Sequence, residues 1–78
     1  MRTLYFSPTA VRRLTELRPT DAEFDAINLQ LETLARNPAL GFEFPFQNTP
    51  RKLFRFNVGR FGFLYTYNKA ELNIATVE

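Results

Sequence analysis

The sequence predicts an α+β fold, with two N-terminal helices packed on a twisted antiparallel sheet of about four strands, and three observations predict it. From Arg51 to Val77 the chain holds three period-two runs, L-F-R-F-N-V, F-G-F-L-Y-T-Y and L-N-I-A-T-V, separated by G-R and by N-K-A-E. That is the pattern of an antiparallel meander. Ahead of it stand two helix starts, Ser7-Pro8 and Thr20 with Glu23 three residues on. With 78 residues and a hydrophobic fraction of 45%, the chain has room for one core and no second module, so residues 1–78 are expected to form a single domain.

Reading from the amino end, R-T-L-Y-F is a short strand candidate that stops at Ser7-Pro8. Ser7 can cap a helix whose first turn accepts Pro8, because the N–H missing there has no intrahelical partner. Ala10, Leu14 and Leu17 then lie along one stripe with Val11 beside them, Arg12, Arg13 and Glu16 fall nearer the wet side, and Pro19 stops the helix. Thr20 and Glu23 have the form of a capping box, and the helix they open sets Phe24, Ile27, Leu31 and Leu34 on one face. Asn37-Pro38 ends it, since proline pushes the preceding residue out of the helical region. Helices of three or four turns are not stable alone in water and need the sheet. Phe42, Phe44 and Phe46 alternate next, but Pro45 and Pro50 argue for an edge strand or an irregular connection.

In the meander, Phe54, Phe56 and Val58 share one face while Leu53, Arg55 and Asn57 share the other. Phe61, Phe63, Tyr65 and Tyr67 oppose Gly62, Leu64 and Thr66. The helix pair is expected to cover the phenylalanine side and leave the other face partly open, carrying Arg55 and Asn57 as a candidate recognition surface. Gly59 reads as a turn or bulge residue.

Composition narrows the chemistry. The chain has no cysteine and no histidine, which removes the thiolate nucleophile, the usual base near neutral pH and the commonest metal ligand. Neither a metal nor a cofactor is expected. A net charge of +2 says little by itself, but Arg12, Arg13 and Arg18 cluster early and Arg51, Lys52, Arg55 and Arg60 cluster around the first meander strand. Such segregation suits phosphates or an acidic protein partner as well as a plain solvated surface. The start, M-R-T-L-Y-F-S-P, lacks the apolar run of a signal peptide and no stretch is long enough for a membrane span, so a cytoplasmic protein with no membrane partner is expected.

A nuclease without metal or histidine would position the ribose 2'-hydroxyl and stabilise the phosphorane with cations. Arg51, Lys52, Arg55 and Arg60 are the cations available, and Tyr65 or Tyr67 could supply a hydroxyl. Each has an ordinary reading too: Arg55 as half of a structural ion pair, Arg51 and Lys52 as a solvated strand end, the tyrosines as core or interface. The pair Asp21 and Asp25, one helical turn apart, reads as a solvated face.

Y-F-S-P-T-A leading into a helix, a second helix closing as L-E-T-L-A-R-N-P, a glycine at position 41, then R-K-L-F-R-F-N-V-G-R-F-G-F-L-Y-T-Y and a last strand L-N-I-A-T-V together resemble the RelE/ParE superfamily of bacterial type II toxin-antitoxin toxins. The resemblance runs over roughly residues 3 to 77 and implies the same α+β fold. It implies a toxin that arrests growth, either as a RelE-like, metal-independent, ribosome-dependent mRNA endonuclease (an mRNA interferase) that inhibits translation, or as a ParE-like inhibitor of DNA gyrase. The partners implied are a cognate antitoxin, with the ribosome and mRNA, or alternatively gyrase. Arg55 corresponds to the first arginine of the family's strand motif and is the catalytic candidate, with Arg51, Lys52, Asn57 and Arg60 as RNA- or target-binding candidates.

The match also has gaps. Asn57 stands at the motif's second arginine position, and Gly62 replaces the arginine that usually follows the aromatic residue of the next strand, here Phe61. In the RelE-like enzymes that arginine belongs to the set around the scissile phosphate. The chain also stops at Glu78, about where many relatives carry a further histidine, arginine or tyrosine. A catalytically silent homologue that binds an antitoxin, or an unrelated small binding domain, therefore stands beside the active toxin. An open, basic face around Arg55 would favour the enzyme, whereas an acidic side chain sealing Arg55 would favour the binding proteins.

Overall fold

The computed structural model describes residues 2–44 and 52–78. In chain order it has strand β1 (Thr3–Phe6), helix α1 (Pro8–Leu17), helix α2 (Asp21–Arg36), a single 3-10 turn (Pro38–Leu40), and strands β2 (Phe42–Phe44), β3 (Leu53–Val58), β4 (Phe61–Tyr67) and β5 (Glu71–Val77). The five strands form one sheet in the order β1-β5-β4-β3-β2. Two features differ from expectation. The sheet has five strands rather than four, because the segment at Phe42 does pair, antiparallel to β3 at the edge. It is mixed rather than antiparallel, because β1 lies parallel to β5, with Leu4 beside Leu72 and Phe6 beside Ile74. A parallel neighbour needs a long crossover, and everything between Ser7 and Ala70 supplies one.

The helix ends are built as their residues dictate. The Ser7 hydroxyl accepts from the Ala10 N–H at 3.0 Å and Pro8 occupies the first turn. α1 stops at Leu17, and Arg18 turns the chain in the left-handed region at φ 49 before Pro19. At the start of α2, Glu23 accepts from the Thr20 N–H at 2.9 Å while the Thr20 hydroxyl accepts from the Glu23 N–H at 3.2 Å. Ile27, Leu31 and Leu34 are buried as their spacing requires, joined by Ala35. Phe24 does not follow them: it is 41% exposed, because it sits in the first turn and burial begins only at Ile27.

Both helices cover one face of the sheet, and the core lies between. α1 rests chiefly on β5, and α2 reaches β3. In the meander Phe54 pairs with Tyr65, Phe56 with Phe63 and Val58 with Phe61, so the aromatic alternation points inward as read. Gly59 makes the β3–β4 turn at φ 56, where a side chain would be strained.

A bulge in β5 completes the core. Tyr65 pairs with Ile74 but Leu64 with Thr76, which leaves Ala75 without a partner in the ladder. The extra residue resets the alternation, so that Leu72, Ile74 and Val77 are all fully buried, where strict period two would turn Val77 outward. The Ala75 carbonyl accepts from the Ser7 hydroxyl at 2.6 Å, so the residue that caps α1 also holds the bulge. Among the described residues no helix is long and apolar enough to cross a membrane.

Candidate functional site

The sheet face away from the helices carries Arg55, and its alternation with Phe54 and Phe56 forces that placement. Arg55 lies opposite Leu64 and Asn57 opposite Gly62. Gly62 is tied to Glu78 by a reciprocal backbone pair, its N–H donating to the Glu78 carbonyl at 2.9 Å and its carbonyl accepting at 2.8 Å. Asn57, Gly62 and Glu78 thus form a row across three strands, and the Arg55 side chain bends over it. Its Nε donates to Asn57 Oδ1 at 3.0 Å and its Nη1 to Glu78 Oε2 at 3.0 Å.

The glycine at position 62 is what admits this arrangement. A Cβ there would meet Arg55 Nη2 at 2.5 Å and Cζ at 2.8 Å, so the guanidinium lies flat against the strand where any side chain would stand. The Arg55 side chain is 28% exposed and that of Glu78 50%. Its positive charge is answered by one half-exposed carboxylate, and the guanidinium itself is held by Asn57 and by the strand at Gly62.

Two other cations predicted for the site, Lys52 and Arg60, go elsewhere. Lys52 is exposed just ahead of β3, beside a shallow hollow lined by Phe54, Thr66, Tyr67, Asn68 and Asn73. Arg60 is turned to the helix side of the sheet, where its Nε donates to Glu23 Oε2 at 2.7 Å and its Nη2 to the Leu17 carbonyl at 3.0 Å. Its guanidinium also lies 4.3 Å from the Phe61 ring centroid. Arg60 therefore fastens the β3–β4 turn to the α1–α2 corner, and it does not stand with Arg55. The hydrogen bond from Arg60, aided by the Thr20 N–H, holds the Glu23 carboxyl down at about 2, and Glu23 in turn raises Arg60. Arg51 lies outside the described residues.

The tyrosines resolve toward structure. Tyr65 is fully buried and its hydroxyl donates to the Pro38 carbonyl at 2.5 Å. Burial pushes the phenol up to about 12, against the opposing pull of the Gly41 backbone and with a smaller push from Tyr67. A neutral phenol, buried and hydrogen-bonded to the backbone, is a core group. Tyr67 packs at 5.1 Å between centroids on Phe54 and receives the Arg2 guanidinium at 5.5 Å over its ring.

Sequence reasoning missed Glu78, and it took Gly62 only as the loss of an arginine. The alternation of β4 does set Gly62 on the Arg55 face, and that much was legible. Nothing in the spacing announces Glu78, because its row is fixed by the pairing register beyond the Ala75 bulge. Among the described residues no group of three or more His, Cys, Asp or Glu side chains is placed to hold a metal ion. No family model, curated protein or solved structure matches this chain.

Proposed function

We propose that this chain is the toxin-type component of a toxin-antitoxin pair of the RelE/ParE kind, and that it works by binding an antitoxin rather than by cutting RNA. The observation that carries this reading is the Arg55–Glu78 pair at 3.0 Å. A phosphoryl-transfer site needs free cations and a group to move a proton. Here the arginine of the strand motif already holds a carboxylate that a scissile phosphate would have to displace, Arg60 is engaged by Glu23 and the Tyr65 hydroxyl is buried in the core. Binding requires none of these to be free. Support for a protein partner comes from apolar side chains left exposed on several sides, among them Val11 at 53%, Leu29 at 62% and Phe42 at 54%, together with Lys52, exposed just ahead of β3. An acidic amphipathic segment that folds on binding has the chemistry to use both.

A second reading is the RelE-like endonuclease on the ribosome, with Arg55 as the catalytic cation and Arg51, Lys52 and Asn57 as RNA-binding residues. It is favoured by the location of Arg55 on the helix-free face and by the exposure of Lys52. Pulse expression in a bacterial host, following protein synthesis, message integrity and DNA supercoiling together, separates the readings. Binding without cleavage predicts that all three stay at control values while folded protein accumulates. Cleaved messages with normal supercoiling would overturn it in favour of the endonuclease, and altered supercoiling with intact messages in favour of gyrase inhibition.

A further inference from the structure

We infer that Glu78 is a built-in competitor for the Arg55 guanidinium, an intramolecular anion that an external oxyanion must displace before Arg55 can bind it. The geometry is that of an occupied site. Asn57 Oδ1 fixes the Nε edge at 3.0 Å, the flat of the guanidinium lies against Gly62 in space that a Cβ would fill, and Glu78 Oε2 meets Nη1 at 3.0 Å. A guanidinium held on its back and on one edge is preorganised, so it loses less freedom when it takes an anion than a free arginine would. The only carboxylate it meets among the described residues is Glu78. That carboxylate is delivered by the reciprocal backbone pair between Glu78 and Gly62, and therefore by the same glycine that makes room for Arg55.

The competitor is retractable by construction. The Glu78 side chain is 50% exposed and a rotation about its own bonds carries the carboxylate into water without disturbing the backbone pair. An exposed, single-contact ion pair has a modest worth, so displacement is within reach of an anion that offers two oxygens to the fork. Arg55 is then selective against weak, singly contacting anions and open to those that bind it in bidentate fashion. This holds for any anionic partner of the open face.

The test is a titration of the folded protein with inorganic phosphate at pH 7, read by the Arg55 Nε–H resonance. The variants are Glu78→Gln and, as a control for net charge, Asp25→Asn on the exposed side of α2. The Gly62 amide, hydrogen-bonded to the Glu78 backbone, reports that β5 remains paired in Glu78→Gln. Removing the competitor should tighten phosphate at Arg55 roughly three- to fivefold, the scale of a half-exposed pair, while Asp25→Asn leaves it near the starting value. Equal affinity in the parent chain and Glu78→Gln overturns the inference. So does an equal gain in Asp25→Asn, since that would make the effect one of overall charge.

Discussion

Replacing Tyr65 by phenylalanine removes one oxygen and leaves the ring, and its consequences can be followed through two independent readouts. The hydroxyl is fully buried and donates to the Pro38 carbonyl at 2.5 Å. Without it that carbonyl has lost its partner next to the core, at a cost of about 1–3 kcal/mol. No sizeable cavity forms, so the loss should stop there. For a domain of this size, about 2 kcal/mol corresponds to roughly 8–16 °C in melting temperature. The second readout is alkaline. The phenol ionises at about 12 in the fold against 10.0 for a free tyrosine. A raised value means that the stabilisation is complete below pH 10 and is lost as pH climbs from 10 toward 12, on the order of 2–3 kcal/mol over that window. Tyr65→Phe cannot show that loss. Urea unfolding followed by circular dichroism at pH 7, 10 and 11.5 should therefore find the variant weaker at pH 7 and the gap closing at pH 11.5. Equal midpoints at pH 7, or a gap that stays constant with pH, would refute the role assigned to the hydroxyl.

Two further outcomes follow from packing and charge. Leu31→Ala, at a residue 1% exposed between α2 and the sheet, should cost about 2–5 kcal/mol in the same urea assay, and a near-neutral result would contradict the helix placement. Glu23, held down at about 2 by Arg60 and Thr20, lends stability that is present above its ordinary value of 4.5 and lost as pH falls from there toward 2; Glu23→Gln should flatten the acid limb of the melting curve over that interval, and an unchanged limb would count against the Arg60 clamp.

Much of the fold was legible because it rests on local periodicity. The serine and threonine caps, the prolines at 8, 19 and 38, and the stripe of Ile27, Leu31 and Leu34 are decided within a turn or two of helix. The alternation that puts Phe54 and Phe56 inward puts Arg55 outward with no further information, so the central residue of the candidate site could be named from the sequence. Phe24 was misread for a related reason: periodicity gives the face of a helix and is silent about where along its length the sheet begins to cover it.

What stayed hidden involves partners distant in sequence. Arg55 and Glu78 are 23 residues apart, and Arg60 and Glu23 are 37 apart. No period connects such residues, and the meeting of Arg55 with Glu78 depends on a register shifted by the unpaired Ala75. For the same reason Lys52, Arg55 and Arg60, grouped along the sequence, were not one patch in space: a two-residue turn carries Arg60 around to the helices while Arg55 stays on the open face. Strand alternation and capping chemistry are properties of a few consecutive residues, so the chain alone settled its helices, its inward aromatics and the outward arginine. The parallel placement of β1, the bulge that buries Val77, and the carboxylate that answers Arg55 belong to strand pairing across the whole chain, and only the folded sheet could decide them.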